Sequence, residues 1–513
     1  MAQMKTPGVY IVEKNAFPNS VVEAPTAIPA FIGITEKAQN GADPLGGKPW
    51  KITSMTEFQQ YFGGAPAPEF RLSVAPVGSG GDGEDKPEPL YSVKSPDGTS
   101  LLTVEAPGVL FTLYYHMVMF FANGGGTCYI VSAGTYDDGR VLDKDRVKDA
   151  LDALKKEQEV TMVLVPEATT LAVPDSKDIQ TQTLKHCGEM MNRFAILDVQ
   201  PKSRENETTD ERITDFRTNI GANYLSYGAA YYPWLNTSVL SDKDIDGTVL
   251  AWDYTREAPD LAPFFGPGSR FPEYFKDAFG AISAGGSTAD GLAAMKNSLH
   301  NALLQNLPGY RYIVDKVKER LNLLPPSAAM AGLYTMVDNT RGVWKAPANV
   351  SVNYVNSPTE SIDNAMQEDL NMPMNGKAVN AIRTFPGEGI KVWGARTLDG
   401  NSQDWRYVNV RRTMMFLEES VKNAAKAYVF EPNVAATWMN VRSMIDNFLR
   451  SVWKRGGLVG STPEDAYEIH VGLGDTMTAN DILDGIMRIS VLVAITRPAE
   501  FIEITFQQQM QKS

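Results

Sequence analysis

The sequence predicts a multi-domain protein of mixed α/β class, with a doubly wound middle domain, a C-terminal α/β domain and extended β-arms at both ends. Three observations carry this expectation. The chain has 513 residues, and at roughly 100–200 residues per domain that length holds two to four domains with room for real cores. From residue 127 short β-rich apolar runs alternate with helical stretches, the pattern of parallel strands joined by crossover helices and covered on both faces. From residue 376 a strand-like run precedes two long helices with apolar residues every three or four positions, then a terminal alternating run.

The first element is an arm, residues 1–25. PGVYIVE at 7–13 follows a proline and glycine with β-rich residues, and Asn15, Pro18 and Asn19 interrupt before AIPAFIG. Residues 26–65 are expected as the N-terminal part of an inner domain. Residues 66–100 contain VGSGGDGEDKPEP and SPDG, rich in turn formers and charge and poor in apolar side chains, so they are expected as a surface insertion that needs no core.

The middle domain, 101–340, reads in order as CYIVSAG, a helix near 141–156, VTMVLVP, a helix near 178–192, FAILDV, a helix near 210–223, and YGAAYYPWL. The C-terminal domain, 341–495, contains IKVWGARTL as a strand. Its first helix places Met414, Leu417, Val421, Ala424 and Tyr428 on one face; the second does the same for Val434, Trp438, Val441, Ile445, Phe448 and Val452. The other side of the second helix aligns Arg442, Asp446, Arg450 and Lys454 every four residues. That stripe reads either as a solvated face tied together by Asp446 or as a docking line for an acidic partner. In the last segment, 496–513, RPAEFIEITFQQQ puts Ile502, Ile504 and Phe506 on one side and Phe501, Glu503 and Thr505 on the other, as a half-buried strand does.

Composition excludes several functions. Forty-eight basic against sixty-one acidic residues give a charge of −13, the wrong sign for a protein that coats nucleic acid. Cys128 and Cys187 are the only cysteines, too few for a disulfide framework, and they fit folding in a reducing cytoplasm as small buried apolar residues. MAQMKTPGVYIVEK lacks an apolar signal-peptide core, and no run reaches the ~18 apolar residues of a membrane span.

Catalytic and metal motifs are equally thin. His116, His186, His300 and His470 are far apart, and neither cysteine has a metal-ligand spacing; no metal or cofactor is expected. GADPLGGKP has the wrong spacing for a phosphate loop, and Pro49 stands where a magnesium-binding hydroxyl would be. Asp198, ending FAILD, is the one residue at the position where doubly wound enzymes place catalytic acids. With no partner motif beside it, it reads first as a cap or loop anchor.

Several blocks taken together resemble the contractile tail sheath family. They are TPGVYIVE with AIPAFIG, FFANGGGTCYIV, PPSAAMAGLYTMVDNTRGVWKAPAN, RTFPGEGIKVWGARTL, WRYVNVRRTMMFLEESV and PAEFIEITF, in the family's order across nearly the whole chain. The resemblance implies a structural, non-enzymatic subunit that polymerises with itself in stacked hexameric rings around an inner tube. It further implies a baseplate below, a terminal cap above, assembly in the bacterial cytoplasm and contraction that drives the tube through a membrane. Val9, Tyr10, Ile11 and Val12, with Phe501, Ile502, Ile504 and Phe506, are then expected to add strands to neighbouring subunits, and Arg442, Arg450 and Lys454 to meet the tube. Trp344 and Pro347 of the RGVWKAPAN block are expected first to serve the fold. The competing readings are a doubly wound enzyme with a pocket at Asp198, and a tube or baseplate component; a tube protein would be a much shorter β-barrel chain.

Overall fold

The protein is described by a computed structural model over residues 21–77, 89–138, 141–201, 207–285 and 288–505. It divides into a larger unit, Ala27–Val337 with Pro347–Val408, and a smaller one, Met1–Thr26 with Asp338–Ala346 and Asn409–Ser513.

In the larger unit the apolar runs become one sheet. Its strands are β1 (Pro29–Thr35), β2 (Trp50–Ile52), β3 (Cys128–Thr135), β4 (Met162–Leu164), β5 (Phe194–Asp198), β6 (Gly228–Tyr232), β7 (Val379–Phe385) and β8 (Gly389–Val392), in the order β8-β7-β6-β5-β4-β1-β3-β2. The six inner strands run parallel, and β2 and β8 are antiparallel edges. All residues of β1, β5 and β6 are buried, which is why these runs carry no polar alternation. The chain lays β3 on one side of β1 and then β4 on the other, so the sheet has a switch point at β1, as doubly wound folds do.

The connecting helices include α1 (Leu113–Ala122), α2 (Lys144–Leu154), α3 (Val173–Met190) and α4 (Thr209–Asn219). Helix α3 starts earlier than its periodicity implies because Pro174 sits in the first turn, where a missing N–H costs nothing. A reciprocal cap between Thr208 and Glu211 opens α4. Cys128 and Cys187 are buried free thiols.

A second core lies in the same unit. Strands Phe70–Pro76, Tyr91–Lys94, Ser100–Glu105 and Leu250–Trp252 form a four-stranded sheet. Phe70, Leu72, Leu102 and Val104 pack there with Phe275, Phe279 and Tyr310, from the helices Phe271–Ser283 and Pro308–Leu321. The stretch 66–100 thus contains core strands on both sides of its charged, glycine-rich centre, a correction to the reading that it needs no core. The alternation of Phe70, Leu72 and Val74 is the signal that the turn-forming residues masked. The run IKVWGARTL is a strand only to Val392. Beyond it the Asn380 side chain takes over the bonding, donating to the carbonyls of Ala230 (3.1 Å) and Arg396 (2.8 Å) and accepting from the Arg396 N–H (2.7 Å).

The smaller unit packs helix α6 (Val408–Ala425, from Asn409 onward) and helix α7 (Ala435–Lys454) with strands β9 (Tyr467–His470) and β10 (Ser490–Val493). Leu417, Val441, Ile445, Phe448 and Val452 are buried together, as their spacing predicts, with Phe416, Met444 and Leu449 added. Val434 departs from its predicted face: it is the N-cap of α7 and 50% exposed. The buried Arg412 guanidinium pairs with the buried Asp338 carboxylate at 2.6 and 2.9 Å. Burial pushes the Asp338 pKa up, and Arg412 opposes that shift.

Candidate functional site

The residues expected to make subunit and tube contacts lie on the two arms and on α7, and those that are described belong to the smaller unit. The sheet there has two strands, β9 and β10, paired antiparallel from Tyr467 with Val493 to His470 with Ser490. Among the described residues neither outer edge has a partner strand. Such a ribbon is marginal by itself; here Tyr467 and Ile469 hold it to the core, while Leu492 is left 53% exposed. His470 lies 3.3 Å from both Glu468 and Asp475, and these carboxylates raise its pKa.

The C-terminal run departs from its expected strand. Residues 497–505 have no regular structure, and Phe501, Ile502 and Ile504 are 71%, 79% and 70% exposed. A strand needs a ladder partner for its amides and carbonyls, and none pairs with it among the described residues. Phe506 and Val9, Tyr10, Ile11 and Val12 lie outside the described residues.

On α7, Asp446 accepts from Arg450 at 3.3 Å and from the Tyr467 hydroxyl at 2.8 Å. Arg442 and Lys454 are exposed and make no ion pair among the described residues. Asp446 therefore offsets Arg450, and the stripe keeps a net positive charge at its two ends. An exposed pair of this kind contributes roughly 0–1 kcal/mol, so the line is available to a partner at little cost to the fold.

Asp198, the residue of the enzyme reading, is buried at the carboxyl end of β5. Its Oδ1 accepts the Ser327 N–H at 2.8 Å, at the start of helix α5 (Ser327–Arg341), and its carbonyl accepts from Gln180 at 2.9 Å. It caps a helix, and burial pushes its pKa up to about 7.

The switch point itself is filled by a residue that the sequence reading passed over. Glu167 follows β4 and is buried; its Oε2 accepts from Ile34 (2.8 Å), and its Oε1 from Thr112 (2.8 Å) and Leu113 (3.1 Å), the first amides of α1. A carboxylate thus sits where orphan amides and the helix dipole favour an anion. Gly33 leaves it room, since a Cβ there would lie 2.7 Å from Oε2. The signal was present: an acid directly after a buried apolar strand demands partners. A cavity of about 690 Å³ beside it is lined by Thr112, Glu167, Gln180, Arg212 and Arg320, and Arg212 is itself paired with Glu360 at 2.6 Å. No described helix is long and apolar enough to cross a membrane.

Over 99% of its length the chain is similar to the sheath of an extracellular contractile injection system, PVC, in its contracted state, with 27% identity, a TM-score of 0.59 and 99% of that chain covered. It is likewise similar over 99% of its length to the contracted helical sheath of the anti-feeding prophage, AFP, with 25% identity, a TM-score of 0.59 and all of that chain covered. A tail sheath protein of Vibrio phage KVP40 is 25% identical over 201 residues, 38% of this chain. One of Salmonella phage ViI is 24% identical over 179 residues, 34% of this chain. These matches span 28% of each phage protein's length. The phage tail sheath protein central domain matches residues 142–398 and the phage tail sheath C-terminal domain residues 401–509; the chain belongs to the phage tail sheath protein family.

Proposed function

We propose that the protein is the repeating structural subunit of a contractile sheath. It polymerises in stacked hexameric rings around an inner tube, starts on a baseplate, ends at a terminal cap, assembles in the bacterial cytoplasm and contracts to drive the tube through a target membrane. The observation that carries this reading is the likeness over 99% of the chain to sheaths of two injection systems in their contracted state. In it, residues 409–495 of the smaller unit face the tube, and the particle is a phage tail or a tail-like device.

The arms link the subunits. Val9 to Val12 and Phe501 to Phe506 pair with the open edges of β9 and β10 of neighbours, which satisfies the backbone groups of both. At a net 0.5–1.5 kcal/mol per hydrogen bond, a strand making about four bonds contributes roughly 2–6 kcal/mol per link, and repetition along the sheath makes the lattice persistent. Links of this kind act as hinges while the bodies rotate and bury new surface. The exposure of Phe501, Ile502 and Ile504 supports this role, because an apolar alternating run left in water is expected to find a sheet. Arg442, Arg450 and Lys454 grip the tube through screened polar contacts that release on firing.

Negative-stain electron microscopy of the chain alone, and expressed beside its tube protein, tests the reading. Striated cylinders or long polysheaths are expected; dispersed small particles in both preparations would overturn it. Deleting residues 1–14 is expected to abolish polysheaths and leave a folded monomer, and normal sheaths from that variant would remove the arms from the mechanism.

A further inference from the structure

The described residues that border the two arms, 21–26 and Thr496, are held at neighbouring points of the smaller unit. On the N-terminal side, Val21 and Ala24 are each 8% exposed and pack into the core of α6 and α7. The Ala24 N–H donates to Ser420 Oγ at 2.9 Å, and the Thr26 carbonyl accepts from Arg412 at 2.8 Å. Glu23 takes Arg455 in a two-pronged pair, one contact being 3.2 Å. The Arg455 guanidinium also lies 5.1 Å from the Trp344 ring centroid, within cation–π range.

On the C-terminal side, Thr496 is bound to the next two residues of the same turn. Its Oγ1 donates to the Gly456 carbonyl at 2.9 Å and its N–H to the Gly457 carbonyl at 3.3 Å. Its carbonyl accepts from Asn409 Nδ2 at 3.0 Å, and that amide also donates to the Trp344 carbonyl at 2.9 Å. The turn needs its glycines: Gly456 has φ +86°, and a Cβ on Gly457 would lie 2.6 Å from Val452 and 2.9 Å from Trp344. Three consecutive residues, Arg455 to Gly457, therefore hold the roots of both arms, with Trp344 and Asn409 bracing them.

We propose that this cluster is a shared anchor that fixes where both arms leave the subunit and couples one root to the other. The inference rests on the arm-linked reading above for its purpose, and on the geometry alone for its existence. A fixed root shrinks the volume that each arm explores and so raises its effective concentration at a neighbour's sheet edge. It also leads tension on either arm into the same buried helices. Trp344 thereby acquires a positioning role, as the platform under Arg455.

Arg455→Glu, Glu23→Arg and the double exchange test the coupling, because both side chains are 42% exposed and their loss spares the core. Hydrogen exchange on the soluble full-length chain reads the Ala24 and Thr496 amides, and electron microscopy reads polysheath yield. The single variants are expected to exchange about two- to five-fold faster at both amides, to retain the wild-type far-UV spectrum and to assemble poorly; the exchanged pair is expected to recover both readouts. Faster exchange at Ala24 with Thr496 unchanged would overturn the shared anchor, as would wild-type assembly by Arg455→Glu under conditions where deletion of residues 1–14 blocks it. Normal assembly by the deletion variant would instead sink the arm reading, and the exchange data would still decide whether the anchor exists.

Discussion

Replacing Asp198 with Asn separates a fold role from a chemical one. The side chain is 3% exposed, its Oδ1 accepts the Ser327 N–H at 2.8 Å, and burial pushes its pKa from an ordinary 3.8 to about 7. A carboxyl group whose folded pKa is raised binds its proton more tightly folded than unfolded. Its contribution to stability is fully present below about pH 4 and is lost as pH rises through 7. A gap of about 3 units corresponds to roughly 4 kcal/mol. Asn cannot ionise and keeps an oxygen to accept from Ser327. The variant and the wild type are therefore expected to melt together at pH 4, and the variant to melt on the order of 5 °C higher at pH 8. Calorimetry following the transition of the larger unit measures this, and polysheath formation is expected to be unchanged. A melting difference that is the same at both pH values would refute the buried-cap argument. Loss of assembly in a stably folded variant would refute the assignment of Asp198 to the fold alone.

Two further outcomes are expected. Reversing Arg450 and Lys454 to Glu should weaken co-assembly with the tube, most at low salt, and leave the melting temperature within about 1 °C; unchanged co-sedimentation at low salt would return the stripe to a solvated face. His116 is buried and its pKa is pushed down to about 3 from 6.5, so its contribution is present above pH 6.5 and is lost on acidification towards 3. His116→Phe should accordingly gain on the wild type as pH falls from 7 to 4, measured by thermal melts, and a pH-independent difference would contradict the assignment.

The middle strands and their crossovers were legible because burial on both faces leaves unbroken apolar runs such as CYIVSAG and FAILDV between helical stretches, whereas β1, β7 and β8, which join the same sheet, read as parts of other domains. The helices α6 and α7 were legible because burial on one face leaves apolar residues every three or four positions. Phe70–Pro76 and Tyr91–Lys94 were not, because the fourteen residues between them, rich in charge and glycine, dominate the local composition and the helices of their core lie far along the chain. Val434 was misplaced since periodicity does not see where a helix begins. The anchor at Arg455 was invisible for a different reason: it joins residues near 23, 344, 409, 455 and 496, and only the fold brings them together. The exposed apolar run at 501–505 alternates as a strand does, but a strand is a relation between two segments, and no partner segment pairs with it among the described residues.

The doubly wound sheet also shows why architecture misleads about function. Its generic ligand position lies at the carboxyl ends of the strands beside the switch point, where helix N-termini offer amides to an anion. In this chain Glu167 supplies that anion from within, bonded to Ile34, Thr112 and Leu113, and Asp198 spends its carboxylate on the start of α5. Both groups have raised pKa values through burial, a property that in a cleft would mark a catalytic site. What distinguishes them is partnership: the carboxyl oxygens of each acid accept from backbone amides of its own subunit, so they are spent on the fold that the arms must pull against. In the sheath reading that rigidity is itself functional, because a subunit that yields under tension cannot pass motion to its neighbour. The same acids that resemble an active site then serve best by staying fixed.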